Sequence, residues 1–224
     1  MDKLIPSFKE SLFCDNFADG ISDIAELGID SVLSDGLLKN IPIFSLVLGI
    51  SRTVKSVQER NFLKNTALFL DALNAKKIDT RKINQYKSKL QNAKYAEKEL
   101  GRIIILLNQY IDNPKSQMLG KLFYEYVDQR FSWEEFCELS DILSRLFLED
   151  FCYLPNIASS ENGELEFHIY KIPYNIRRLE GIGLVMVHGE YKRFGDTLLQ
   201  TENMYIELTS NGKIFVELGV GIFS

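Results

Sequence analysis

Histidines, cysteines and closely spaced acids are where enzymatic chemistry would begin, and this chain has few of them. Its histidines are His168 and His188, and its cysteines are Cys14, Cys137 and Cys152. His188-Gly189-Glu190 has the H-x-E spacing of zinc deaminases, where the histidine holds the metal and the glutamate moves protons. The P-C-x-x-C that would complete that ligand set does not follow. Gly120-Lys121 ends like a phosphate loop, but Lys115 stands where its first glycine belongs and Leu122 replaces the Ser or Thr that would hold magnesium. No G-x-S-x-G and no G-x-G-x-x-G is present. The paired acids Glu134-Glu135 and Glu149-Asp150 fall at helix ends, where carboxylates complement the helix dipole or stay solvated. The three cysteines are widely spaced, with neither metal-ligand nor disulfide-framework spacing, and read as reduced thiols. No catalytic residue, cofactor-binding residue or metal ligand is assigned, and a protein without enzymatic activity is expected.

What remains is charge. The net charge of −5 conceals a segregation. Residues 1–38 carry −6, with Lys3 and Lys9 against eight acids; residues 39–130 carry +9; residues 131–224 carry −8. The basic run from Lys76 to Arg102 holds nine cations against Asp79, Glu97 and Glu99, with Tyr86 and Tyr95 interleaved. Within it Arg81, Lys82, Lys87, Lys89, Lys94 and Lys98 are candidate partner-binding residues. Arg177, Arg178, Lys192 and Arg193 form a second candidate basic edge in an otherwise acidic segment. Three partners compete for such cations. One is an acidic protein surface, including the chain's own Asp15–Asp35 stretch. The others are an anionic membrane face, worth about 1 kcal/mol per nearby cation, and nucleic acid phosphate. A protein partner or a second copy of the chain is favoured over membrane, and membrane over nucleic acid.

The elements that must position these residues are mostly helical. The 224 residues, 46% apolar and 25% charged, suit one large or two small globular domains. The first residues lack the basic start and long apolar run of a secretory signal, so a cytoplasmic protein is expected. GISDIAELGIDSVLSDG has helical periodicity and ends at Asp35-Gly36. Asn40 and Pro42 suit the start of a helix running to about Asn74, with a bend near Gly49-Ile50-Ser51. Asp79 or Thr80 caps a short basic helix. The next helix centres on RIIILLNQY, apolar on most faces and expected in the middle of a bundle, and Asn113-Pro114 ends it. SQMLGKLFYEYVDQR is a further helix. Ser132 with Glu135 makes a capping box for one more, expected to reach Pro155.

After Pro155 the pattern changes. LEFHIYKI alternates as a strand, and YNIRRLEGIGLVMV reads as a helix, a glycine turn and a strand. Near the end Asn211-Gly212 suits a hairpin turn, or Thr209 caps a last short helix. The expected fold is mostly α: a helical bundle over residues 1–155, followed by a small winged-helix-like α+β domain over 156–224.

The run from Leu37 to Ile50 poses a separate question, because Ile41–Ile50 contains no charge. A helix of that length spans roughly 21 Å, short of a hydrocarbon core of about 30 Å. It is therefore read as the central buried helix of the bundle. If it meets lipid, it does so as part of a hairpin or an oligomer.

Two stretches resemble known families. DSVLSDGLLKNIPIFSLVLGISRTVKSVQERNFLKNTALFLDAL, followed by MLGKLFYEYVDQRFSWEEFCELSDILSRLFLED, resembles a family of uncharacterised helical bacterial proteins over about residues 25–150. The shared features are an Ile-Pro helix with a later glycine, a Lys-Leu-Phe helix and a Glu-Glu-Phe capped helix. They imply fold rather than chemistry, since they are caps and core positions. RRLEGIGLV and MYIELTSNGKIFVELG are similar to the recognition-helix end and last wing strand of a winged-helix domain. The acidic balance of this segment departs from the DNA-binding members, which bring Lys and Arg to phosphates. The resulting expectation is a non-enzymatic interaction or regulatory protein, an accessory component of a bacterial or phage conflict system. The alternatives are a membrane-active effector inserting an apolar hairpin and a DNA-binding winged-helix regulator.

Overall fold

The computed structural model describes residues 3–14, 37–50, 57–160, 164–168, 172–194 and 197–223. The chain divides into two units, Met1–Ser140 and Asp141–Ser224. The first holds α1 (Leu4–Ser11), a 3-10 turn (Leu37–Asn40), α2 (Pro42–Ile50), α3 (Val57–Asn74), α4 (Thr80–Lys89), α5 (Ala93–Gln109) and α6 (Asn113–Val127). The division falls inside α7 (Trp133–Arg145). The expected helix before Asp35-Gly36 lies outside the described residues; of the bend expected near Gly49-Ile50-Ser51, Gly49 and Ile50 are still helical and Ser51 lies outside them.

Local chemistry sets most helix starts. Asp79 Oδ1 accepts the backbone N–H of Arg81 at 2.7 Å, and Asn92 Oδ1 that of Lys94 at 3.0 Å. The capping box forms as expected: Glu135 N–H donates to Ser132 Oγ at 3.1 Å, and Ser132 N–H donates to Glu135 Oε2 at 2.7 Å. α5 ends at Gln109, ahead of Asn113-Pro114, which instead forms the first turn of α6, where proline's missing N–H costs nothing.

The centre of this unit is α3 against α6. Asn65 Nδ2 donates to the carbonyls of Leu107 and Tyr110, and Asn61 Nδ2 to that of Tyr110, at 2.6–2.8 Å. These bonds bring the start of α3 to the end of α5, where α6 begins, so α3 and α6 run side by side. A Cβ at Gly120 would lie 2.4 Å from the Phe69 carbonyl oxygen, so glycine is what lets the two helices approach. Phe69 meets Phe123 with ring centroids 5.6 Å apart, and Phe123 continues to Phe136 at 5.6 Å. Such aromatic pairs contribute about 0.5–1.5 kcal/mol each beyond their area.

Two expectations about apolar helices are corrected. α2 is not the central helix: Ile41, Ile43 and Phe44 are buried, but Leu46, Val47 and Leu48 are half-buried and Gly49 is exposed. Its main neighbours are α1 and the 3-10 turn. In α5, Ile103, Ile104, Leu106 and Leu107 are buried, yet Ile105 is 57% exposed, so one stripe of RIIILLNQY faces solvent. Among the described residues no helix is long and apolar enough to cross a membrane.

The second unit is a small α+β arrangement, as expected. α7 stops at Arg145 rather than Pro155. A 3-10 turn (Leu148–Asp150) and α8 (Tyr153–Ala158), with Pro155 inside its first turn, follow. Then come β1 (Glu164–His168), α9 (Tyr174–Gly181), β2 (Val185–Phe194), β3 (Thr197–Leu208) and α10 (Ser210–Gly219). The sheet is antiparallel in the order β1-β3-β2, with Leu165 and Val187 both opposite Ile206 and a bulge between Gly189 and Tyr191. Met204, Ile206 and Leu208 alternate inward on β3 and are buried, as are Leu154, Ile157, Phe215 and Leu218 of α8 and α10. Thr209 decides the fate of Asn211-Gly212. Its Oγ1 accepts the Gly212 N–H at 3.1 Å, so this dipeptide lies in the first turn of α10 and not in a hairpin.

Candidate cationic groove

The basic run divides into cations neutralised inside the fold and cations left at the surface. Lys89 belongs to the first group. Its Nζ lies 2.5 Å from Glu99 Oε1 and donates to Tyr126 Oη at 2.6 Å. Tyr86 and Tyr126 both donate to Glu99 Oε2, at 3.1 and 3.0 Å, and Glu99 is 1% exposed. This network ties α4, α5 and α6 together. Burial, reinforced by the charge of Glu99, pushes the Tyr126 hydroxyl up to about 12 against the opposing pull of Lys89. Burial works against the Lys89 ammonium, but bonds to Glu99 and Tyr126 outweigh it and hold its pKa above the ordinary lysine value. Lys82 is also internal in its bonding, 2.9 Å from Asp128 Oδ1 and 2.6 Å from the Asp128 carbonyl.

Lys94, Lys98 and Arg81 are exposed and turned to solvent. Lys87 is exposed as well, with its ammonium 5.6 Å from the centroid of the Phe13 ring. It lines a groove of about 550 Å³ at the corner between α3 and α4. Lys76 and Lys77, which follow the C-terminus of α3, line the same groove. A helix C-terminus favours cations there through its dipole. Thr80, Ile83, Asn84 and Lys87 also face it, at the i, i+3, i+4, i+7 spacing of a single helical face. Phe13 and Ile83 are half-buried, so apolar atoms remain accessible between the polar ones. Lys76, Lys77 and Lys87 form no ion pair with any described residue. Nearby on α6, burial and then the like charge of Lys76 hold the Lys121 ammonium below its ordinary value.

Of the six candidate cations in the basic run, two are paired with acids inside the fold and four are exposed. Lys82 and Lys89 serve the fold, while Lys76 and Lys77 join Lys87 at the groove. The helix-face spacing of Thr80, Ile83, Asn84 and Lys87 was the available signal. The contribution of Phe13, some seventy residues upstream, had none.

Of the second basic edge, the two described arginine side chains each meet an acid. Arg177 pairs with Glu180 at 2.9 Å. Arg178 grips the buried carboxylate of Asp150 through Nε at 2.8 Å and also through Nη2, between the rings of Phe147 and Tyr174 at 4.5 and 5.1 Å. Asn175 Nδ2 donates to the same carboxylate at 2.5 Å. Lys192 and Arg193 lie on β2, with side chains outside the described ones.

For catalysis or metal binding, His188 stacks on Tyr205 at 5.9 Å, and the side chains of Glu190 and His168 lie outside the described ones. Among the described residues no group of three or more His, Cys, Asp or Glu is placed to hold a metal ion. No family model matches the chain, and no curated protein or solved structure matches it significantly.

Proposed function

We propose that the protein acts by binding an acidic partner protein through the cationic corner between α3 and α4, and not by catalysis. The observation that supports this reading is the contrast within one basic run. Lys82 and Lys89 spend their charge on Asp128 and Glu99. Lys76, Lys77 and Lys87 keep theirs at the rim of a groove. Unneutralised surface cations raise the local concentration of anionic partners and speed encounter. Accessible apolar atoms in the groove favour a polypeptide over a phosphate backbone. Phosphate recognition draws on planar arginine forks, and Arg81 is the one arginine in the α3–α4 turn and the first turns of α4.

Equilibrium binding of the full chain to poly-glutamate, to phosphatidylserine vesicles and to duplex DNA, each across a salt series, tests this reading. Poly-glutamate binding that weakens as salt rises is expected, because exposed charges are screened within about 10 Å at 0.1 M. Preferential binding to the vesicles or to DNA would overturn it.

A further inference from the structure

We infer that the groove beside Lys76, Lys77 and Lys87 takes a short acidic peptide segment that anchors one apolar side chain between Phe13 and Ile83. The inference rests on the reading that this corner binds an acidic protein, and it specifies what part of that protein enters. A volume of about 550 Å³ suits several residues rather than a single ion. Ile78 and Leu73 are buried beneath, and the half-buried Phe13 and Ile83 offer the apolar surface that remains. Phe13 is held edge-on to Tyr86, with centroids 6.3 Å apart, so the anchor would meet a fixed wall.

Polar groups complete the match. Asn84 and Thr80 are exposed on the same face of α4, and no hydrogen bond between their side chains and described residues is formed, which leaves them for a peptide backbone. Lys76 and Lys77 flank the start of α4, while Lys87 lies about two turns along it, roughly 10 Å away. An extended peptide advances about 3.3 Å per residue. Carboxylates some three residues apart, with the anchor between them, would therefore reach both ends of the rim.

Two fluorescent peptides test this, Glu-Glu-Leu-Glu-Glu-Gly and the same sequence with glycine in place of leucine, titrated with the full chain by anisotropy. The leucine peptide is expected to bind about tenfold tighter, from burial of one aliphatic side chain. Ile83→Ser is expected to remove that advantage. The exposed double variant Lys76→Ala/Lys77→Ala, whose fold is checked by thermal melting, is expected to weaken both peptides about tenfold. Equal binding of the two peptides would overturn the groove assignment, with salt-sensitive poly-glutamate binding still supporting the broader reading. Failure of both peptides and of poly-glutamate would overturn the two together. Peptide binding seen only after Asp15, Asp19 and Asp23 are changed to Asn would give the groove to the chain's own acids and overturn the assignment to a partner.

Discussion

Lys89 and Glu99, one helix apart in sequence, meet at 2.5 Å where α4 faces α5, and the same carboxylate accepts the hydroxyls of Tyr86 and Tyr126. Glu99 is thus a buried charge with three donors. Glu99→Ala would leave two hydroxyls without an acceptor and a half-exposed ammonium without a counterion. A loss of about 3 kcal/mol in urea unfolding is expected, less than the extreme for a broken buried pair because Lys89 can turn to water. Glu99→Gln, which keeps an acceptor, is expected to cost about 1 kcal/mol. A smaller effect for Ala than for Gln would refute this account of the network.

The same network fixes a titration. Burial first, then the Glu99 charge, keep the Tyr126 hydroxyl protonated until about pH 12. A spectrophotometric titration of the native chain should show this late-ionising tyrosine. In Glu99→Gln it should ionise earlier, since one charge opposing the phenolate is gone.

Gly120 tests the approach of α3 to α6. Alanine is the better helix former by about 1 kcal/mol. Its Cβ, however, would sit 2.4 Å from the Phe69 carbonyl oxygen and 2.9 Å from Ala72 Cβ. Gly120→Ala is expected to destabilise by about 1–3 kcal/mol, as overpacking does. Gly101→Ala, with open space around it, should do no harm. Chemical denaturation of both variants decides the point.

The capping box gives a pH dependence whose sign is fixed. The Ser132 backbone N–H and then its side chain hold the Glu135 carboxyl below its usual value. A depressed carboxylate contributes stability that is present above its unfolded pKa and lost as pH falls through the folded one. Glu135→Ala should therefore lower the melting temperature at neutral pH, and the difference should vanish in acid. A difference that persists at pH 2 would point to another cause.

In the second unit, Thr209 Oγ1 accepts the Gly212 N–H and donates to the Gly183 carbonyl at 2.7 Å. Thr209→Val keeps the shape and removes both bonds. A cost of about 1–2 kcal/mol is expected, read most directly as faster amide exchange at the start of α10.

Features set within a few residues could be read from the order of amino acids. The Ser132–Glu135 box, the Asp79 cap, the change from helix to alternating strand after Pro155 and the mostly α character all depend on short-range hydrogen bonds and side-chain periodicity. The extent of α7 could not be read this way. Its apolar spacing runs on past Arg145, but Phe147 adopts an extended backbone and Asp150 turns inward to meet Arg178, a partner 28 residues away.

The candidate groove shows the same division. The sequence alone determined that positive charge gathers between Lys76 and Arg102, and that Thr80, Ile83, Asn84 and Lys87 share a helical face. It also made Lys82, Lys87 and Lys89 equivalent, because a lysine's own chemistry does not say which acid it will meet. Tertiary structure separated them by bringing Asp128 to Lys82, Glu99 to Lys89 and Phe13 to Lys87. Contacts that pair residues tens of positions apart leave no local periodicity to read. They are decided by which helices can approach, as Gly120 lets α3 approach α6.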